Sequence, residues 1–353
     1  MAEKVLMKGN EAIAEAAIIA GCRHYFGYPI TPQTEIAAYM AKRMPKIGGT
    51  FLQAESEIAA INMVYGVAST GKRVMTSSSS PGISLKGEGI SYIAGADLPA
   101  LIVNAQRGGP GLGGIQPSQS DYFQATRGGG HGDYHMIVLT PASVQEMAEL
   151  TIKGFELADK YRMPCMILAD GTIGQMMEPV SFDFEIAPQI EKPWATTGTK
   201  MQREHNIVNS LYLDPKTLED KNIERFERYK LVEENDAMAE EYLMDDAEIA
   251  IAAFGIAARV AKTAVNEARK EGIKAGLIRP ITVWPFPKAP FKKAADRVKA
   301  FISVELSMGQ MIEDVKLATE MKKPVTLTNR VGGMIPTPNQ ILEDIRKAAK
   351  GGN

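Results

Sequence analysis

Cysteine is almost missing from this 353-residue chain: there are two, Cys22 and Cys165, far apart in sequence. No CxxC pair or ferredoxin-like cysteine run exists, so the chain cannot by itself ligate an iron–sulfur cluster. Both cysteines sit in apolar segments, as small core residues do. Histidine is scarce too, at four. His131 and His135 share the Gly-rich stretch GGGHGDYHM. No matching cysteine or carboxylate cluster accompanies them, so they are not read as a metal site. An excess of one charge is lacking: 40 basic and 42 acidic side chains leave a net charge of −2. That gives no electrostatic reason to expect nucleic acid or an anionic membrane surface. No apolar run approaches the roughly 20 residues that span a bilayer. The opening Met1-Ala2-Glu3-Lys4-Val5 lacks the charged-then-apolar layout of a signal peptide. A cytoplasmic location is expected.

What is present is an alternation of strand and helix. Apolar runs at 72–77 (KRVMTS), 99–104 (PALIVN), 135–140 (HMIVLT) and 164–170 (PCMILAD) are nearly continuous rather than alternating, as in buried parallel strands. Asn10 is expected to cap a first helix, EAIAEAAIIA, that stops at Gly21. Residues 143–160 (SVQEMAELTIKGFELADK) open with a Ser-x-x-Glu capping box. This alternation predicts a doubly wound α/β sheet over residues 1–185. Residues 186–245 turn strongly charged (TLEDKNIERFERYKLVEENDAMAEEY) and are expected to form a solvated helical connector packed over that domain. From 246 to 353 the alternation resumes in a second, smaller α/β domain.

Ligands bind outside the carboxyl ends of strands in open α/β sheets, and four loops there are unusual. Tyr28-Pro29-Ile30-Thr31-Pro32 is stiffened by two prolines, so Thr31 offers a hydroxyl on a rigid turn, or else caps a helix with Thr34. In FLQAESEIAAINMVYG, a helix starting near Glu55 places Glu57 on one face with Ile61, Val64 and Ala68, and Glu55 on another. A carboxyl heading an apolar face is costly without a partner, and desolvation favours its neutral form; a first-turn residue facing the helix dipole is the plainer alternative. In TSSSSPG, Ser79 and Ser80 precede a glycine that admits a close ligand. In QRGGPGLGG, Arg107 follows a strand, suiting a carboxylate ligand. The GxGxxG pattern of dinucleotide sites is absent.

Together GYPITPQTE, LQAESEIAAINMVYGVASTGKR, TSSSSPGISL and the arginine–glycine loop, followed by GIKAGLIRPITVWPFP and NRVGGMIPTP, resemble the alpha subunits of 2-oxoacid:ferredoxin oxidoreductases along essentially the whole chain. The resemblance implies a thiamine diphosphate pyrimidine-binding domain at 1–185, then the connector, then a transketolase-C-like domain at 246–353. It assigns the conserved glutamate of that family to Glu57, not Glu55. A carboxyl bonded to N1′ of the aminopyrimidine promotes the imino tautomer that removes the thiazolium C2 proton. It also implies that Tyr28, Pro29, Ile30, Ser79 and Ser80 border the cofactor, and that Thr31 and Arg107 contact the 2-oxoacid.

The same resemblance makes absences informative. The GDG…NN pattern that holds the diphosphate through Mg²⁺ is missing; Ala169-Asp170-Gly171 has no trailing asparagine pair. Thiamine diphosphate is therefore expected to be shared with a beta subunit that supplies the Mg²⁺ site. The 4Fe-4S clusters are expected on partner subunits, with gamma and ferredoxin-like delta subunits completing the complex. Coenzyme A and ferredoxin are the implied co-substrates. Members acting on 2-oxoglutarate resemble one another in an RGGPSTG loop, whereas Gly111 and Leu112 stand here. That favours 3-methyl-2-oxobutanoate and other branched-chain 2-oxoacids, with 2-oxoglutarate the rival substrate. A non-catalytic scaffold subunit and a self-sufficient thiamine-dependent transferase are the rival roles.

Overall fold

The computed structural model describes residues 4–351, and every structural statement below concerns those residues. The first half runs β1 (Lys4–Lys8), α1 (Gly9–Ile19), β2 (His24–Gly27), α2 (Thr34–Arg43), β3 (Thr50–Gln53), α3 (Glu57–Ser69), β4 (Val74–Ser78), α4 (Ser80–Gly95) and β5 (Ala100–Gln106). It continues with α5 (Tyr122–Thr126), β6 (Ile137–Leu139), α6 (Val144–Tyr161), β7 (Pro164–Asp170), α7 (Gly171–Gln175) and β8 (Met177–Ser181). The long α8 (Pro215–Asn235) follows an irregular stretch. Then come β9 (Ala239–Tyr242), β10 (Ile249–Ala252), α9 (Gly255–Lys270), β11 (Ala275–Pro280), β12 (Thr282–Trp284), α10 (Lys288–Ala295), β13 (Ala300–Glu305), α11 (Met311–Ala318), β14 (Val325–Asn329) and α12 (Pro338–Ala349).

Among the described residues a seven-stranded sheet runs β12-β6-β7-β5-β4-β2-β3, and a five-stranded sheet runs β14-β13-β10-β11-β9. The fold is α/β, as the run of buried apolar strands implies. In the larger sheet every pairing is parallel except β6 with β12. The chain steps outward from β2 to β3, then returns to place β4 on the other side of β2. That reversal is a topological switch point, the place where ligands bind in open α/β sheets.

Two local expectations change. Asn10 does not cap the first helix, because α1 already begins at Gly9. Its buried side chain instead donates to the carbonyl of Pro32 at 2.8 Å and to Glu35 at 2.9 Å, pinning the loop after β2. Only half of the α6 capping box forms: Ser143 accepts from the Glu146 N–H, but Glu146 takes the N–H of Ala142 and the guanidinium of Arg279. The stop at Gly21 holds, with a left-handed φ of 84° two residues past α1. The charged stretch forms α8, and its Arg225 is tied to Asp97 and to the carbonyl of Gly95 in the first half of the chain. β9 and β12 exchange places with the sequence: β9 joins the smaller sheet against β11, and β12 joins the larger one against β6.

Candidate active site

Four loops converge at the switch point. α3 starts at Glu57, not near Glu55, because Ser56 takes the cap position and accepts the Ala59 N–H at 3.2 Å. Glu57 is then the first helical residue and is buried, while Glu55 is exposed outside the helix. Ile61, Val64 and Ala68 are buried with Glu57 on one face. The close approach of α4 to this face depends on Gly82. A Cβ there would fall 2.1 Å from Ser78 Oγ and 2.6 Å from Glu57 Oε1. Only glycine leaves room for that carboxylate.

Below Glu57 the hydroxyl run after β4 divides. Ser77 donates to Gln33 Oε1 at 2.5 Å and lies 2.6 Å from the Tyr25 hydroxyl. Gln33 in turn donates to the carbonyl of Tyr28 at 3.2 Å. Gln33 thus couples the proline-stiffened turn to β4. Ser78 and Ser79 are fully buried, and neither hydroxyl has a partner within the chain. Buried polar groups are otherwise nearly always bonded, so these two are suited to a bound group. Ser80 is committed elsewhere. Its hydroxyl donates to Asp121 at 2.6 Å and accepts the Arg107 N–H at 3.0 Å. Asn104 also donates to Asp121 at 2.9 Å. Burial pushes the Asp121 carboxyl upward, against the pull of these two donors.

Arg107 is buried, 6% exposed as a residue. Nη1 donates to the Thr31 carbonyl at 2.9 Å and Nη2 to the Leu112 carbonyl at 3.2 Å, while Nε has no partner. Arg107 and Thr31 are therefore brought together, through the Thr31 backbone rather than its hydroxyl. Tyr28, Pro29 and Thr31 are exposed and Ile30 is half-buried. Two clefts flank this loop. One of about 590 Å³ is lined by Thr31, Pro32, Ile115 and Gln116. The other, of about 850 Å³, runs between Ser80, Gly109 and Pro110 and, from the loops of the smaller sheet, Leu306 and Met308. A separate cleft of about 740 Å³ holds none of these groups; His135 lines it, stacked on Trp284 at 4.6 Å between centroids. His131 is exposed and meets Tyr92 edge-on, so the two histidines do not converge.

Gln33, Asp121, Asn104 and Lys86 belong to this constellation and were not singled out from the sequence. Gln33 had a signal, standing directly after Pro32 in the proline-stiffened turn.

The arrangement of helices and loops has close counterparts. A family described as pyruvate flavodoxin/ferredoxin oxidoreductase, thiamine diphosphate-binding, matches residues 15–242. One described as pyruvate:ferredoxin oxidoreductase core domain II matches residues 247–341. Ketoisovalerate oxidoreductase subunit VorB of Methanothermobacter thermautotrophicus is 52% identical, over 98% of this chain and 97% of its own. 2-Oxoglutarate synthase subunit KorA of the same organism is 37% identical, over 98% and 99%. A solved 2-oxoglutarate:ferredoxin oxidoreductase from Magnetococcus marinus, with 2-oxoglutarate, coenzyme A and succinyl-CoA bound, superposes with a TM-score of 0.87 at 28% identity. This chain is covered to 99% and spans 66% of that one. A split-gene transketolase, an inactive beta4 tetramer, shares the fold, at TM-score 0.61 and 15% identity.

Proposed function

Because the chain belongs to the thiamine diphosphate-binding family of 2-oxoacid:ferredoxin oxidoreductase subunits, we propose that it is the alpha subunit of a branched-chain 2-oxoacid:ferredoxin oxidoreductase. The reaction is the coenzyme A-dependent oxidative decarboxylation of 3-methyl-2-oxobutanoate and its homologues, with ferredoxin reduced. The observation that carries the reading is the buried Glu57 at the switch point, with α4 brought close over it by Gly82. One further comparison supports it: near full-length 52% identity to a ketoisovalerate oxidoreductase subunit, against 37% to a 2-oxoglutarate synthase subunit.

Thiamine diphosphate supplies the nucleophilic carbon and the electron sink when bound. The residues present fit its pyrimidine end. Glu57 offers a carboxyl to a ring nitrogen; the unpartnered Ser78 hydroxyl meets the same Gly82 position, and Ser79 follows it in the chain with its own hydroxyl unpartnered. Tyr28, Pro29, Ile30 and Ser80 complete the border. Ser80 acts indirectly, since Asp121 and the Arg107 backbone already hold its hydroxyl. Arg107 presents its free Nε to the 2-oxoacid carboxylate, and Thr31 its exposed hydroxyl. Leu112 and Ile115, 81% and 57% exposed, give the loop an apolar tip suited to an aliphatic side chain. Partner subunits complete the site: a beta subunit for the diphosphate and Mg²⁺, with gamma and delta subunits and the 4Fe-4S clusters. Coenzyme A and ferredoxin as co-substrates place the complex in the cytoplasm.

The test is co-purification of the complex from its native source and assay of ferredoxin reduction with a panel of 2-oxoacids. Branched-chain 2-oxoacids are the expected substrates. Robust turnover of 2-oxoglutarate without 3-methyl-2-oxobutanoate turnover overturns the substrate assignment. Stoichiometric thiamine diphosphate binding by this chain alone overturns the shared site.

A further inference from the structure

Lysine is almost never fully buried unless paired, yet Lys86 in α4 has no exposed surface. Its Nζ donates to Thr76 Oγ1 of β4 at 2.6 Å. Its neighbours along the helix explain how it comes to be there. Gly82 and Gly89 stand four residues before and three after it, on the same helix face. A Cβ on Gly82 would meet Glu57 Oε1 at 2.6 Å, and one on Gly89 would meet Ile61 Cγ2 at 2.4 Å. Glu57 and Ile61 are themselves one turn apart on α3. The two glycines therefore lay α4 directly on the edge of α3 that Glu57 heads, and Lys86 is sealed into the crossing.

Burial pushes this ammonium down to about 7, and Glu57 is the charged group that opposes the fall. β4 contributes a neutral partner, the Thr76 hydroxyl, and the neighbouring Gly87 packs on the backbone of Gly129. A methionine fills the same volume without the desolvation cost of a buried cation. The packing alone does not account for a charge at this place.

We propose that Lys86 is a positioning residue for the reaction, its ammonium serving as the buried counter-charge that holds the Glu57 carboxyl oriented toward the cofactor's pyrimidine nitrogen. The proposal rests on the reading of Glu57 given above. With Lys86 in place, Glu57 has a buried cation near it at the crossing of α3 and α4, through space rather than in a direct ion pair. Without it the buried carboxylate has no cation near it, which disfavours its charged form.

The test uses four variants of the full chain: Lys86→Met, Lys86→Arg, Glu57→Gln and the Lys86→Met/Glu57→Gln double. Thermal unfolding of each without cofactor, at neutral pH, forms a double-mutant cycle. The expected result is a Tm shift in the double variant that differs from the sum of the two single shifts. In the assembled complex, Lys86→Met is expected to lower kcat at least tenfold at neutral pH with the 2-oxoacid KM little changed. It also moves the acid limb of the kcat profile to higher pH by about one unit or more. Lys86→Arg, which keeps the charge, returns that limb toward its original place. Should Lys86→Met not accumulate as folded chain, Lys86→Gln carries the same comparison. Additive Tm shifts, or an acid limb that does not move, overturn the proposal while a Glu57→Gln loss of turnover leaves the Glu57 reading standing. Unaltered turnover in Glu57→Gln overturns both.

Discussion

The Nη1 of Arg107 donates to the backbone carbonyl of Thr31 at 2.9 Å, joining two loops that are 76 residues apart in sequence. The guanidinium also reaches the Leu112 carbonyl, so its fork spans the proline-stiffened turn and its own glycine loop. What it keeps free is the Nε edge. One planar group therefore fixes both loops and still holds one buried N–H unspent.

Arg107→Lys separates the bracing from the free N–H. An ammonium is a compact point donor and cannot bridge two carbonyls and a carboxylate in one plane. The kcat/KM for the preferred 2-oxoacid is expected to fall roughly 10- to 100-fold, about 1.4–3 kcal/mol, chiefly through KM. Steady-state ferredoxin reduction by the reassembled complex measures it. An unchanged KM means that Arg107 only braces the loops.

Glu57→Gln keeps the shape and removes the acid–base function. Turnover is expected to drop on the order of 10²- to 10⁴-fold, the range of a lost general acid–base group. Assembly with the partner subunits, followed by size-exclusion chromatography, should be unaffected. Full activity in this variant supports the scaffold role instead.

Two glycines in neighbouring helices make opposite predictions. In α3, Gly66 is exposed and an added Cβ meets nothing within 4 Å. Gly66→Ala should stabilise the chain by roughly 0.5–1 kcal/mol through the unfolded state. In α4, Gly82→Ala must displace Ser78 Oγ or Glu57 Oε1. It should cost on the order of 1–3 kcal/mol and lower turnover as Glu57 moves. Denaturant unfolding of the two variants gives the sign directly. Equal stabilisation would show that α4 can back away from the carboxylate.

The parts of this fold that were legible are those with a continuous signal. β4, β5 and β7 are buried along their whole length, and their apolar runs read as strands without ambiguity. β2 and β3 have four residues each, and β3 is an exposed edge, so neither shows a pattern long enough to read. β9 reads Ala-Glu-Glu-Tyr because it lies at an edge, where one row of side chains faces water, and its strand character comes from pairing with β11. Glu57 was legible because a carboxylate on an apolar face is an anomaly that needs a reason. Lys86 was equally anomalous. Its burial depends on Gly82 and Gly89 admitting α3, a tertiary contact that a lysine among serines and glycines does not announce. Asp121 and Asn104 are brought to Ser80 only by the crossing of loops after separate strands.

Asp170 makes the last prediction, because its effect on stability runs opposite to that of most carboxylates. It ends β7 wholly buried, with Oδ1 accepting the Ile173 N–H at 3.2 Å and Oδ2 the Ile256 N–H at 2.7 Å. The second bond ties the larger sheet to the start of α9, where a Cβ on Gly255 would lie 2.5 Å from Oδ2. Burial raises the carboxyl from 3.8 to about 6, more than these N–H donors lower it. The folded chain therefore binds this proton more tightly than the unfolded chain. Between 3.8 and about 6 the native state holds more protons, so stability falls as pH rises through that window and is level above it. The full effect approaches about 3 kcal/mol, at 1.36 kcal/mol per unit. Asp170→Asn removes the titration and leaves one amide N–H facing the Ile256 or Ile173 donor, at a cost of roughly 1–3 kcal/mol that does not vary with pH. The stability advantage of the unsubstituted chain over Asp170→Asn should accordingly shrink as pH rises from about 4 to about 6, then stay constant. Urea unfolding at a series of pH values measures that difference. An advantage that grows across the window would mean that the ionised carboxylate is the better-bound form, with the N–H donors of α7 and α9 outweighing the cost of its burial.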